Sequence, residues 1–309
     1  MQSAYAAPKA LPWIGWLVAF CASLSFSIAP SVGRAAILSG MEPVELLVSR
    51  FLLAVSLIWL TLLIRKPKST QKIDLSGMGS ICLVGLLNGA AMLCFFFGLA
   101  RLDASMIAMA LSTLPVFVLM ILALQGERLN RRKITRLALA IAGLYLLIGP
   151  GGTADPTGML FAMVAVILFA IQLVLVQPLS YKYDSQTVTR YVMTVMLVVI
   201  FCYWWYEDGI WQWPSNEDWF YIILLGVVST YAARLFLYSA IRHVGSGQMS
   251  LLMPLETLLS ICWAVLFLNE RLNTFQWIGG TLIVFSAVLA VERIRLGDWR
   301  MRWRVWSRT

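Results

Sequence analysis

Among the charged side chains that fall inside otherwise apolar stretches of this chain, four are candidates for chemistry: the carboxylate Glu256 and the guanidiniums Arg34, Arg50 and Arg234. A charge near the centre of a bilayer costs on the order of 2.5–3.5 kcal/mol on insertion scales, so each needs a partner, a wet cavity or a ligand. For Glu256 two chemistries are open. It can face a cavity as a proton-coupling or amine-binding carboxylate, or it can be neutralised by an arginine and serve only to fix helix packing. Arg234 lies deepest relative to its helix end and is the candidate either to pair with Glu256 or to hold a substrate carboxylate through a charge-assisted contact. Arg50 reads as structural, because it can snorkel, and Arg34 stays open between the two roles. One carboxylate and one guanidinium in a dry cavity would meet both ends of a zwitterionic amino acid.

Neutral polar groups in the same stretches are Ser25, Ser27, Asn88, Ser112, Thr113, Gln172, Thr230, Tyr231 and Gln248. Their ordinary use in a helical bundle is helix-to-helix hydrogen bonding. Asn88 and Gln172 are favoured for a cavity, since an amide both donates and accepts. Phe26, Phe95, Phe169, Tyr231 and Phe236 could wall such a cavity or face lipid. Pro30, Pro115 and Pro254 interrupt backbone hydrogen bonding and read either as ordinary kinks or as hinges. Enzyme chemistry has no foothold: there is no phosphate-cradling G-x-x-x-x-G-K-[ST], and the lone His243 forms no metal-ligand set. The five cysteines all lie in apolar segments, where a thiol behaves as a small hydrophobe. The expectation is no cofactor, no metal and no enzyme, with transport energy drawn from an ion gradient, exchange or the solute's own gradient.

The elements that must hold these groups follow from composition. Hydrophobic residues make up 60% of the 309 and charged residues 13%, and the mean hydropathy is +0.81. A helix needs roughly 20 mainly apolar residues to cross the hydrocarbon. Ten stretches qualify, at about 13–38, 44–64, 77–100, 104–124, 133–149, 157–178, 187–206, 217–241, 246–268 and 274–293. They are too long and too uniformly apolar for barrel strands, so the fold class is an all-α integral membrane protein. Lys9, Arg65 to Lys72, Arg128 to Arg136, Lys182, Arg190, Arg242 and the final arginines fall on one side. Most acidic loop residues fall on the other, which predicts both termini in the cytoplasm. That sorting accounts for most of the net charge of +9, so no nucleic-acid partner is inferred. The tail 294–309, in which Trp299, Trp303 and Trp306 alternate with arginines, suits a cytoplasmic segment lying on an anionic leaflet.

The chain is also duplicated. Gly126-Glu127-Arg128-Leu129 and Asn269-Glu270-Arg271-Leu272 recur at matching places, and Gly98-Leu99-Ala100-Arg101 matches Ser239-Ala240-Ile241-Arg242. Two halves follow, 13–149 and 157–293, joined by the turn-rich Pro150 to Pro156. Five crossings in each half force the second to enter the membrane from the opposite side, giving two inverted repeats, an architecture associated with alternating access. Gly85 and Gly89 fit the close-packing spacing of glycines in membrane helices and read as intramolecular packing, leaving a monomer or weak dimer.

The run Phe26 to Arg34 with Pro30, then Pro43, Arg50-Phe51 and the two Glu-Arg-Leu phrases, resembles the EamA-type transporters of the drug/metabolite transporter superfamily. The resemblance covers nearly the whole chain and implies ten helices around a central cavity. It also implies an inner-membrane, multi-pass carrier, commonly an exporter, of amino acids, related metabolites or drugs. Phe26 and Phe169 stand where many members carry Trp, and Leu114-Pro115 and Glu256-Thr257 stand where many carry Glu-Pro. The resulting expectation is an inner-membrane secondary transporter exporting small metabolites such as amino acids or their derivatives. Its alternatives are proton-coupled efflux of lipophilic cationic drugs or a non-transporting scaffold. The expected substrate-binding set is Ser25, Phe26, Asn88, Phe95, Thr113, Phe169, Gln172, Tyr231, Arg234, Gln248 and Glu256, with membrane lipids and a coupling proton or ion as further partners.

Overall fold

The structure, a computed structural model, describes residues 12–64, 73–124, 155–183, 185–209, 211, 213–244 and 253–290, with scattered positions between 135 and 146. Helices account for all of its regular structure among these residues. They are α1 (Pro12–Leu38), α2 (Pro43–Ile64), α3 (Leu75–Arg101), α4 (Ala104–Leu111), α5 (Leu114–Leu124), α6 (Pro156–Lys182), α7 (Ser185–Tyr206) and α8 (Asn216–Ile223). A π-helical segment, Leu224–Ala232, continues α8 into α9 (Ala233–Val244), and α10 (Met253–Leu268) and α11 (Thr274–Ala290) follow.

Six of these runs are long and apolar enough to cross a membrane, and three shorter apolar helices cover 104–118, 255–268 and 274–285. The expected fifth span, 133–149, the segment 246–252 and the tail 294–309 lie wholly or mostly outside the described residues. The fourth span differs from the continuous helix expected. It is broken at Ser112-Thr113, where the Thr113 and Val116 amides close three-residue turns onto Ala110 O and Thr113 O at 3.0 and 2.9 Å. Pro115 supplies the cause: lacking an N–H, it cannot bond the carbonyl of Leu111, so the ladder restarts as α5. Pro30, by contrast, sits inside a continuous α1.

We call upper the end of the bundle at which α1 stops and α2 begins. α3 and α6 run antiparallel along their full lengths, and α1 pairs in the same way with the π-helical segment and α9. Gly98 makes the first pairing close, since a Cβ there would stand 3.2 Å from Gly158 O and 3.3 Å from Ala162 N. Gly85 and Gly89 set α3 against Val195 and Val199 of α7, so the glycine spacing serves packing within the chain.

Ion pairs tie α3 to α6 at both ends. At the upper end Arg101 meets Asp155 at 3.3 Å, and at the lower end Lys182 meets Asp74 at 3.0 Å. Asp74 also accepts from Ser76 Oγ at 2.7 Å and from the Tyr183 hydroxyl. The Ser76 bond, then Lys182, holds the Asp74 carboxyl below its ordinary range. Asp155 caps α6 and is held low first by the Thr157 amide and then by Arg101.

Candidate functional site

Three helices converge on Glu256. It is the fourth described residue of α10. The next residue, Thr257, receives a 2.6 Å hydrogen bond from Ser112 at the break in the fourth span. One turn further on, Ser260 Oγ lies 3.0 Å from Glu256 O and 2.9 Å from Ser27 O of α1. Trp263 Nε1 donates to Ser27 Oγ at 3.0 Å. Glu256 and Thr113 therefore flank the Ser112–Thr257 contact, and on the Thr113 side the backbone is interrupted. The Glu256 side chain has no hydrogen-bond or ion-pair partner among the described residues.

A second cluster lies where α2 meets the π-helical segment. Arg50 is 1% exposed, so the snorkelling expected for it does not occur. Its guanidinium is covered instead by the rings of Phe51 and Phe96, each 5.2 Å from it. Each such contact returns about 1–2 kcal/mol when desolvated, part of the cost of burying the charge. Tyr231 packs on the neighbouring α2 and α7 group Ala54, Val55, Ile58 and Met193. The segment winds wider than an α-helix, and Thr230 Oγ1 donates five residues back to Leu225 O at 2.9 Å. Such π-helical turns recur at functional sites.

Two features at the upper end were not foreseen. Glu270, from the second Glu-Arg-Leu phrase, reaches across the chain to the start of α4. There it accepts from the Ala104 and Ser105 amides at 2.7 and 3.0 Å and from Ser105 Oγ at 2.5 Å. A carboxylate thereby satisfies orphan amides of the broken helix from the opposite half. Its duplication was the available signal. Arg34, left open above, donates to Leu99 O and Ala100 O at 2.9 Å each and closes the C-terminus of α3. Between the α1–α2 turn and the stretch before α8 lies a crevice of ≈ 270 Å³, lined among others by Glu45, Ser49, Trp211, Trp213 and Glu217.

The expected binding residues divide accordingly. Ser25 and Thr113 are buried and Phe26 half-buried on the elements around Glu256. Tyr231 and Arg234, both half-buried, belong to the α2 side, joined by Phe95, whose ring meets Phe96 at 5.4 Å. Asn88 is buried on α3 with its Oδ1 unpartnered among the described residues. Phe169 and Gln172 are half-buried on α6, and Gln248 lies outside the described residues. No ion pair joins Arg234 to Glu256, so the pairing offered for them is not made among the described residues.

The sequence profile of the EamA-like transporter family matches residues 13–149 and 156–291. The chain belongs to this family. That places it, as the Arg50-Phe51 pair and the duplicated phrase implied, among the drug/metabolite transporters, as a multi-pass membrane protein with a small-molecule substrate. The pseudopaline exporter CntI of Pseudomonas aeruginosa is 22% identical over 92% of this chain and 97% of its own length. An uncharacterized transporter of Archaeoglobus fulgidus is 26% identical over 61% of this chain and 67% of its own. The uncharacterized transporter YcbK of Bacillus subtilis is 25% identical over 78% of this chain and 80% of its own. Among solved structures, a crystal structure with 19% identity superposes with a TM-score of 0.61, over 90% of this chain and 97% of that one. At that identity the likeness speaks for the fold.

Proposed function

We propose that the protein is an inner-membrane secondary transporter that exports small amino-acid-like metabolites by alternating access. Its ten helices form two inverted five-helix repeats, 13–149 and 157–293, and both termini are cytoplasmic. The observation that carries this reading is the meeting of the broken fourth span with α10 at Ser112 and Thr257, beside Glu256. Interrupted helices at a repeat interface supply free backbone groups and bistable joints, the two things a transported solute and a rocking motion require. The reciprocal pairing of α3 with α6 and of α1 with α9 supports the inverted repeat. Export is supported by the exporter role of the Pseudomonas relative CntI.

In this reading Glu256 receives the amino group or a coupling proton. Thr113, Ser25 and Phe26 line its side of the path, and Arg234, Tyr231, Phe95, Asn88, Phe169, Gln172 and Gln248 line the remainder. One observation favours a second reading, proton-coupled efflux of lipophilic cations: Glu256 has no arginine partner among the described residues, so a cation could take its place. The deciding experiment is uptake and counterflow of a labelled amino-acid panel in proteoliposomes, parent against Glu256→Gln, at two pH values. Saturable amino-acid movement that the substitution abolishes supports the first reading. Movement unaffected in rate and pH response removes Glu256 from the mechanism, and loss of a lipophilic cation's efflux alone moves the assignment to the second.

A further inference from the structure

Arg50 is enclosed, yet its Nε and Nη1 have no hydrogen-bond partner among the described residues. The ring faces of Phe51 and Phe96 answer its charge from above and below, but a guanidinium's five N–H groups lie in its plane, and ring faces leave that edge unmet. The ion pairs recorded among the described residues, Arg101 with Asp155 and Lys182 with Asp74, lie at helix ends and reach neither Arg50 nor Arg234.

The π-helical segment lies directly against this region. A Cβ on Gly226 would stand 3.1 Å from Arg50 O and 3.0 Å from Leu53 Cδ2. From there the segment runs beside α2 through Tyr231 to Arg234. Helical side chains lean toward their own N-terminus, and for Arg234 that is the direction of Gly226 and so of the α2 turn that holds Arg50. On the same segment Ser229 is buried with its hydroxyl unpartnered among the described residues. Arg50 and the Ser229 hydroxyl thus offer buried donors with no acceptor among the described residues, and Arg234 adds a second guanidinium on the same segment as Ser229 and its continuation.

We propose that Arg50 and Arg234 form an anion site for a substrate bearing two carboxylates, one at each guanidinium, with the Ser229 hydroxyl as a third donor. The proposal rests on the transport reading and narrows it from neutral zwitterions to solutes with an additional acidic group. The two forks stand on different helices, and each matches a planar carboxylate edge to edge, which fits a dicarboxylate better than one compact tetrahedral anion.

The test uses the full chain in lipid nanodiscs, with thermal unfolding read against succinate, glutarate, butyrate and inorganic phosphate at constant ionic strength in chloride. Succinate or glutarate is expected to raise the midpoint with saturation, while butyrate and phosphate stay at the chloride baseline. Arg234→Gln is expected to weaken the apparent affinity at least tenfold and Ser229→Ala several-fold. Arg50→Gln adds to this where it folds, and Arg50→Lys, which keeps the charge without the fork, is expected to recover part of the affinity. No dicarboxylate shift in the parent, equal shifts in parent and Arg234→Gln, or an equal response to phosphate would each overturn the proposal. Counterflow of labelled leucine in matching proteoliposomes separates the two readings. Leucine movement without dicarboxylate binding leaves the transport reading standing, whereas dicarboxylate binding without movement of any labelled solute, leucine or succinate, sinks transport and keeps the site.

Discussion

α3 against α6 and α1 against the π-helical segment and α9 are contacts of the same kind, antiparallel pairings across the two halves of the chain, and they are built in opposite ways. The α3–α6 pair is closed by an ion pair at each end, brought near by Gly98 and Gly158 and filled by rings such as Phe97 on Phe161, 5.4 Å apart. The α1–α9 pair rests on small side chains, Ala19, Ala22 and Ala240. It holds no recorded ion pair among the described residues, and Ser23 of α1 and Ser229 of the segment keep buried hydroxyls without partners. Polar groups left unmet inside an apolar bundle raise the energy of the state that leaves them so. The first pairing is therefore a frame, and the second is where a ligand or a change of packing has something to gain.

The largest effect should come from breaking the frame. A Cβ on Gly98 would meet Ile107 Cδ1 at 3.1 Å and two backbone atoms of α6 at 3.2 and 3.3 Å. Backbone cannot step aside as a side-chain tip can, so Gly98→Val is expected to cost about 1–3 kcal/mol, read as a lowered melting midpoint in detergent. Gly226→Ala presses on the Arg50 carbonyl across the softer pairing. It should change transport rate more than stability. If the two substitutions destabilise equally, the distinction between frame and mobile face fails.

Glu270→Gln comes next. The carboxylate meets three donors at the start of α4, and its neutral isostere keeps one acceptor but loses the charge favoured at a helix N-terminus. A loss of about 1–2 kcal/mol is expected by chemical denaturation. A smaller pair of substitutions sharpens the contrast between satisfied and unsatisfied hydroxyls. Ser112→Ala removes the 2.6 Å bond to Thr257 and should cost about 1 kcal/mol. Ser229→Ala removes a hydroxyl with no partner and should be neutral or stabilising. Equal losses at the two positions would contradict the assignment of Ser229 to a ligand.

What could be read from residues alone, and what could not, divides along the same line. Apolar run length revealed the helices, and the glycine spacing at Gly85 and Gly89 correctly pointed to packing inside the chain, because both signals are local. Pro115 read only as a kink or hinge in a continuous fourth span, and the break there came from the structure. Hidden were relations set by tertiary contact. Arg50 read as a snorkelling cation, since nothing local says that Phe96 of another helix will cover it. Glu270 read as part of a loop phrase, although its partners lie 165 and 166 residues away. The π-helical segment, in which Gly226 rests on α2, has no local signature in the residues. The phrase Asn269-Glu270 does carry one local clue: Asn269 takes a φ of 54°, a left-handed turn ending α10, and the first phrase has Gly126, another residue suited to that conformation, at the matching place.

The smallest effect, and the most specific to the frame, concerns pH. Asp74 is held below the ordinary carboxylate range by Ser76 and Lys182, and Asp155 by the Thr157 amide and Arg101. A carboxylate whose folded pKa is depressed contributes stability that is present above its unfolded value and lost as pH falls through the folded one. Both contributions are thus complete at neutral pH and vanish only in acid. A variant carrying Asp74→Asn and Asp155→Asn should melt slightly below the parent at pH 7. The gap should stay constant down to about pH 4 and close below it, as protonation makes the parent resemble the variant. Both groups are exposed, so added salt should narrow the neutral-pH gap by screening Lys182 and Arg101. A gap that persisted in strong acid would mean that the asparagines act through helix capping alone, and the α3–α6 ends would then be closed by packing and not by charge.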